Sequence, residues 1–153
     1  MNARAETLET RPAFKEAFKE RRCVVLADGF FEWVGPKNAR QPIWFHRPDG
    51  EVLLFAGLYE YWQPSPGQWE RTFTIVTTDA NDLIRRVHDR MPVILAEEAA
   101  DALLLPSQEL SDPRKLLAPA PEELLIATAV SPRANSVKND DAAVLEEVAA
   151  PPF

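Results

Sequence analysis

A glutamate stands between two aromatic residues in Phe31-Glu32-Trp33, shortly after the apolar run Cys23-Val24-Val25-Leu26 and the break Asp28-Gly29. A carboxylate in such company is costly to bury unless it has a partner or a task. Burial raises a carboxyl pKa, which turns a glutamate into a usable proton donor and acceptor near neutral pH. The segment alone also admits a plainer placement, with Glu32 on the solvent side of a period-2 strand and Phe31 and Trp33 facing inward. His88 is the second candidate. In Val87-His88-Asp89-Arg90-Met91-Pro92 it lies between a helix end and a proline-anchored strand, and imidazole titrates close to neutrality. Its plainer placement is a helix C-terminal histidine satisfied by the last carbonyls. His46, beside Trp44 and Phe45 on a strand, reads as structural, and two histidines so far apart without Cys or carboxylate at ligand spacing argue against zinc. Cys23 heads an apolar strand, where burial raises the thiol pKa and disfavours the thiolate. At the start of the chain Asn2, Arg4 and Glu6 alternate, as if presenting one polar face.

These residues need elements to hold them. Pro12 to Glu20 reads as a short helix, with Phe14 and Phe18 on one face, Thr10 as N-cap and Pro12 in the first turn. Arg22 to Trp33 reads as a strand broken at Asp28-Gly29. Residues 43–46 and 52–61 read as strands joined into a hairpin by Arg47-Pro48-Asp49-Gly50. Residues 63–68 are expected to be a surface loop, 71–77 a strand, 81–87 a helix leading to His88, and 91–95 a strand. A helix over 96–104, another starting at Ser111-Asp112-Pro113 and ending near Leu117, and a last strand over 124–130 complete the series. Strands and short helices mix without regular βαβ spacing, which predicts an α+β fold with a mostly antiparallel sheet or open β-barrel. One domain over residues 1–147 and a loose tail over 148–153 are expected.

The 153 residues suffice for one domain with a substantial core. A single cysteine leaves no intramolecular disulfide, and no apolar run is long enough to cross a bilayer, so a soluble cytoplasmic protein without metal, cofactor or membrane partner is expected. The net charge of −7 argues against a general nucleic-acid binder. The acids concentrate in the second half, however, and Arg4, Arg11, Arg21, Arg22, Arg85, Arg86 and Arg90 lie in or beside the candidate segments, which leaves room for a local basic cleft.

Taken in order, the segments are Asn2-Ala3-Arg4-Ala5-Glu6-Thr7, Asp28-Gly29-Phe30-Phe31-Glu32-Trp33, Ile75-Val76-Thr77-Thr78-Asp79-Ala80-Asn81 and His88-Asp89-Arg90-Met91-Pro92. They close with Val130-Ser131, Asn135-Ser136-Val137 and Lys138-Asn139-Asp140. This order and spacing resembles the SOS response-associated peptidase (SRAP) family, whose members include sensors of abasic sites in DNA, from residue 2 to about residue 145. The resemblance implies covalent capture of an abasic site in single-stranded DNA. An N-terminal cysteine forms a thiazolidine with the ring-opened sugar, and the same cysteine serves an autoproteolytic step. By the same resemblance Glu32 is the proton-shuttling glutamate, His88 assists sugar ring opening and crosslink reversal, and Asn2 positions the cysteine. Arg4 and Arg90 match phosphate-contacting arginines, Thr77 a hydroxyl that contacts the DNA backbone, and Arg11 a further DNA-contacting arginine. Such roles suit the residue types, since Schiff-base chemistry needs proton relays tuned near neutrality and guanidinium forks suit phosphate oxygens.

One departure bears on the chemistry. In the family the Asn-Ala-Arg motif follows the nucleophilic cysteine by several dozen residues, whereas here it begins at residue 2. The expectation is therefore an SRAP-like domain without its N-terminal portion, inactive in crosslinking as written, because Cys23 is internal and has no free amine. Two other readings compete: a non-catalytic single-stranded DNA binder using an Arg4/Arg90 cleft, and a small hydrolase using Glu32 and His88 on another substrate.

Overall fold

The computed structural model describes residues 2–106 and 112–149. Along the chain lie β1 (Ala3–Arg4), α1 (Pro12–Glu20), β2 (Arg22–Ala27), β3 (Gly29–Val34), β4 (Gln41–His46), β5 (Leu53–Ser65), β6 (Gln68–Asp79), α2 (Asp82–Arg85), β7 (Arg90–Pro92), β8 (Ile94–Leu95), α3 (Glu97–Leu104) and β9 (Ile126–Ala129), with short 3-10 turns between. The class is α+β, built on open sheets rather than a closed barrel. The described residues fall into two compact units interleaved along the chain.

The first unit comprises residues 1–26, 54–79 and 90–120. Its sheet has the order β1-β6-β5-β2, with β7 added on β6 and β8 on β5. The β1–β6 pair is parallel, and the β5–β6, β5–β8 and β6–β7 pairs are antiparallel. The core of this unit gathers Ala3, Leu8, Ala17, Phe18, Leu58, Val76, Val93, Leu95, Leu103 and Leu117. Helix α1 occupies the expected span, and its apolar stripe delivers Phe18 and, partly, Phe14 to that core. Its N-cap is Arg11 without a side-chain cap, not Thr10, whose N–H and hydroxyl both turn back to the Thr7 carbonyl.

Arg22 ties two helix ends together. Its guanidinium donates to the Phe18 and Lys19 carbonyls at the end of α1, at 2.8 and 2.6 Å, and to the Leu103 carbonyl at the end of α3, at 2.8 Å. Carbonyls of the last helical turn have no partner within the helix, and a cation there also opposes the dipole's negative end. Arg21, its neighbour, forms a salt bridge with Glu60 at 2.8 Å. Neither arginine of this pair is left over for a ligand as the sequence suggested.

Two expectations fail for a topological reason. Residues 47–50 do form a turn, closed by the Gly50 N–H on the Arg47 carbonyl, with Gly50 at φ 76°. The strands on either side do not pair, however: β4 joins β3 and β9, whereas β5 joins β6. The loop expected over 63–68 is instead the tip of a long hairpin, in which β5 and β6 pair as far as Ser65 and Gln68, with Gly67 at φ 82° in the turn. One face of this arm carries Tyr59, Tyr61 and Phe73, with Arg71 over both tyrosine rings at 5.5 and 5.3 Å.

The second unit comprises residues 27–53, 80–89 and 121–153. Its sheet has the order β3-β4-β9, antiparallel throughout. Gly29 explains the break seen in the sequence. A Cβ there would lie 2.0 Å from Trp44 Nε1, because the Trp44 indole crosses this position to stack on His46 at 3.9 Å. His46 is structural as expected: the Arg47 carbonyl can only accept, so Nδ1 carries the proton, and Nε2 accepts from the Thr128 hydroxyl, each at 3.0 Å. Val130 bridges Glu147, and the Val148 N–H donates to the Ala129 carbonyl. Ser111, expected to start a helix, and residues 150–153 of the expected tail lie outside the described residues. Asp112 caps the 3-10 turn Pro113–Leu116.

Candidate functional site

The register of β3 on β4 decides where Glu32 points. Opposed residues in an antiparallel pair share a face. Glu32 lies opposite Ile43 and Phe30 opposite Phe45. Ile43 and Phe45 are fully buried, and the Phe30 and Phe45 rings stack at 5.3 Å. Glu32 therefore shares the apolar face of the sheet. Phe31 and Trp33 occupy the other face, with Trp44, which overturns the placement that turned those two aromatics inward.

Burial raises the pKa of the Glu32 carboxyl, the charge of His88 pulls it back, and the charge of Asp89 adds to the rise. His88 and Asp89 belong to the same unit and act on Glu32 within electrostatic reach. The segment that carries them is pegged at three points. The Ala80 N–H donates to the Asp89 carbonyl at 3.0 Å, Asn81 Oδ1 caps α2 by accepting from the Ile84 N–H at 3.0 Å, and the Ile84 side chain is fully buried. The His88 N–H ends α2 on the Ile84 carbonyl, while its exposed ring faces Asp89, with Nδ1 3.4 Å from Oδ1. The side chain is thus not spent on the helix carbonyls. A carboxyl whose pKa is raised by burial, beside an imidazole that faces its own carboxylate, takes up a proton more readily than an ordinary glutamate.

The remaining predicted residues lie in the first unit. Ala3 is buried in β1, so Asn2 and Arg4 project outward together, both exposed. Arg4 sits opposite Thr77 in the parallel β1–β6 register, and Thr77 sits opposite Pro92 across β6–β7. Glu6 leaves this alternation because Ala5–Thr7 form a 3-10 turn, which brings it to Arg90.

Arg90 is engaged within the fold. Its guanidinium donates to both Glu6 oxygens at 2.9 and 3.0 Å, to Asp79 Oδ1 at 2.7 Å and to the Thr77 carbonyl at 2.7 Å. Burial works against its charge, but the hydrogen bonds and charges of Glu6 and Asp79 outweigh it and raise the pKa, while Arg90 holds the Glu6 carboxyl below its usual range. This fork clamps β1, β6 and β7 together, so a phosphate would have to compete with two carboxylates for it. Thr77 is also buried, and its hydroxyl leans on the Ala3 carbonyl at 3.4 Å instead of facing outward. Arg4 stays exposed on β1, and exposed Arg11 heads α1. Among the described residues no cluster of His, Cys, Asp and Glu is arranged to hold a metal ion, and no helix is long and apolar enough to cross a membrane. Burial raises the Cys23 thiol pKa.

The sequence model of the SOS response associated peptidase (SRAP) family matches residues 1–137. The chain belongs to the SRAP family. It is 38% identical over 151 residues to the abasic site processing protein YoqW of Bacillus subtilis, an alignment that covers 95% of this chain and 66% of that protein. It is 33% identical over 164 residues to the abasic site processing protein HMCES of Gallus gallus, covering 91% of this chain and 47% of the relative. A crystal structure of a protein from Bacteroides thetaiotaomicron superposes with a TM-score of 0.82 at 31% identity, covering 96% of this chain and 66% of that one. The chain thus spans less than two thirds of the length of these SRAP relatives.

Asp89 and Asp79 stand beside the candidate residues without having been singled out in the sequence, and Glu6, read there as part of an outward polar face, turns to Arg90 instead. Asp89 was signalled by its adjacency to His88. Asp79 becomes a partner of Arg90 only through the β6–β7 register, which no local pattern reveals.

Proposed function

We propose that this chain serves an SRAP-type DNA-repair protein that recognises abasic sites in single-stranded DNA. The observation that carries the reading is Glu32: a carboxyl on the apolar face of β3, raised in pKa by burial and within reach of the His88 charge. Opening an abasic sugar and condensing its aldehyde with an amine both require proton transfers in each direction at one place. A group whose pKa lies closer to neutrality than an ordinary carboxyl performs them best. In this reading Glu32 carries the proton, His88 assists ring opening, and Asp89 keeps the imidazole oriented. Arg4 contacts a backbone phosphate, with Asn2 projecting beside it and Arg11 contributing a further contact. The Arg90 fork positions β1, and through it Arg4, rather than meeting DNA itself. The covalent thiazolidine and the autoproteolytic step belong to the family's N-terminal cysteine. Cys23 is internal, with no free amine beside its thiol, and takes no part. The place of action in this reading is the cytoplasm.

The test is fluorescence anisotropy with three probes: a single-stranded oligonucleotide carrying one abasic site, its intact counterpart, and a duplex. Tightest binding to the abasic single strand is expected, with affinity falling as salt rises and Arg4→Ala reducing the log–log salt slope by about one contact. Equal affinity for the intact duplex, or affinity indifferent to salt, would overturn the proposal.

A further inference from the structure

The second unit holds a pocket of about 470 Å³ lined by Trp33, Lys37, Asn38, Ala39, Arg40 and Asn135. Trp33, its strand residue, points to the face of β3 opposite Glu32, so the pocket is separate from the acid–base pair. Its walls are preformed. Gly35 at φ 97° reverses the chain after β3, and the Ala39 N–H closes a turn on the Pro36 carbonyl at 2.9 Å. Asn135 then staples the two sides: its Oδ1 accepts the Trp33 indole N–H at 2.8 Å, and its amide donates to the Arg40 carbonyl at 3.0 Å.

The chemistry of the lining selects a ligand. Its two charged residues, Lys37 and Arg40, are both cations, and no carboxylate lines the pocket, in a chain whose net charge is −7. Neither cation forms an ion pair among the described residues, in contrast to Arg21, Arg47, Arg90, Arg114 and Arg133. An anion is therefore favoured at this spot against the field of the whole molecule. Trp33 adds a flat surface. Its indole N–H is already committed to Asn135, and the side chain remains exposed, so the ring can be stacked upon. Asn38 supplies an amide with both a donor and an acceptor. A phosphate beside a planar, hydrogen-bonding ring is a nucleotide, and the volume is that of a small-molecule site. An unpaired nucleotide fits best, because a base within a duplex has both faces covered by its neighbours.

We propose that the Trp33/Lys37/Arg40/Asn135 pocket seats one unpaired nucleotide of a nucleic-acid strand, its base on Trp33 and its phosphate on Lys37 and Arg40. Neither Glu32, His88 nor Arg4 lines this pocket, which stands apart from the abasic-site reading.

The experiment follows the Trp33 indole N–H by heteronuclear NMR, assigned through Trp33→Phe. Titrations use dAMP, inorganic phosphate and a short intact oligothymidylate without abasic sites. The Trp33 signal is expected to move with dAMP and with the oligonucleotide, at lower concentration for the latter, and to stay nearly still with phosphate. The Lys37→Ala/Arg40→Ala double variant alters only exposed side chains and is expected to keep its melting temperature. It should weaken the Trp33 response about tenfold or more, since each phosphate contact and each stacked base contributes at this scale. An unmoved Trp33 signal up to about 10 mM dAMP, the weak limit of a specific site, overturns the proposal. A response to phosphate equal to that for dAMP removes the base from it, equal affinity for dAMP and oligonucleotide removes the strand, and an unchanged response in the double variant removes the cations.

Discussion

At the scale of single residues, Glu32 makes the sharpest predictions because three influences on it have known signs. Its carboxyl should titrate above the ordinary range when followed by carbon NMR. His88→Ala removes a charge that lowers the pKa and should move the midpoint higher still, whereas Asp89→Asn should bring it down. The opposite direction in either variant would break the assignment of neighbours. Stability should follow with a definite sign. A raised folded-state pKa means that folding favours the neutral carboxyl, so the contribution is complete at low pH and lost as pH rises through the folded value. Glu32→Gln mimics the neutral form. It should raise the melting temperature at neutral pH, and the gain should vanish below about pH 4, where glutamate is itself protonated. A calorimetric gain that persists under acid would contradict burial as the cause. The sequence showed the carboxylate and its aromatic flanks but not its face. Alternation offers two sides, and only the pairing of Glu32 with Ile43 selects one.

At the scale of elements, two arginines act as fasteners. Arg22→Ala would strip carbonyls at the ends of α1 and α3 of their donors, and a loss of about 2–3 kcal/mol is expected in urea unfolding. Arg90→Ala should cost a similar amount, about 2–3 kcal/mol, since Glu6, Asp79 and the Thr77 carbonyl lose a common partner. Arg4→Ala should change stability by less than about 0.5 kcal/mol, as exposed substitutions do, and weaken DNA binding instead. Should Arg90→Ala leave stability intact and reduce only DNA affinity, the clamp gives way to a phosphate contact. Elements were legible where the signal is local. Phe14 and Phe18 at helical spacing after Pro12 gave α1, and Asp28-Gly29 gave the break before β3. The turn at 47–50 looks the same whether the chain doubles back onto its own strand or crosses to another sheet, so the β4–β5 pairing was misread. The partners of Arg90 were illegible for a related reason: a guanidinium suited to phosphate is equally suited to two carboxylates that register brings together.

At the scale of the whole molecule, a net charge of −7 limits how much binding can come from general attraction. Affinity for single strands should rest on a few fixed cations, giving a log–log salt slope of roughly −1 to −3, or about 0.7 per phosphate contact. A much steeper slope would reveal a broad basic surface that these residues do not account for. The mostly antiparallel pairing was legible in the absence of regular βαβ spacing, and the family in the order of the motifs, because each motif is short and locally dense. The division into interleaved units was not, since it depends on long-range pairing such as that of β4 with β9.

The parallel pairing of β1 with β6 has a consequence for synthesis. Ala3 meets Val76, 73 positions later (76 − 3), and Glu6 meets Arg90, 84 positions later (90 − 6). At roughly 5–20 residues per second, the ribosome needs on the order of 4 to 17 s after making these residues before their partners exist. During that interval β1 waits for β6, and the fork on Glu6 closes only after Arg90 has been made. Substitutions that weaken the Arg90 fork should therefore show first as protease sensitivity of the newly made β1 segment, before any change in the finished fold.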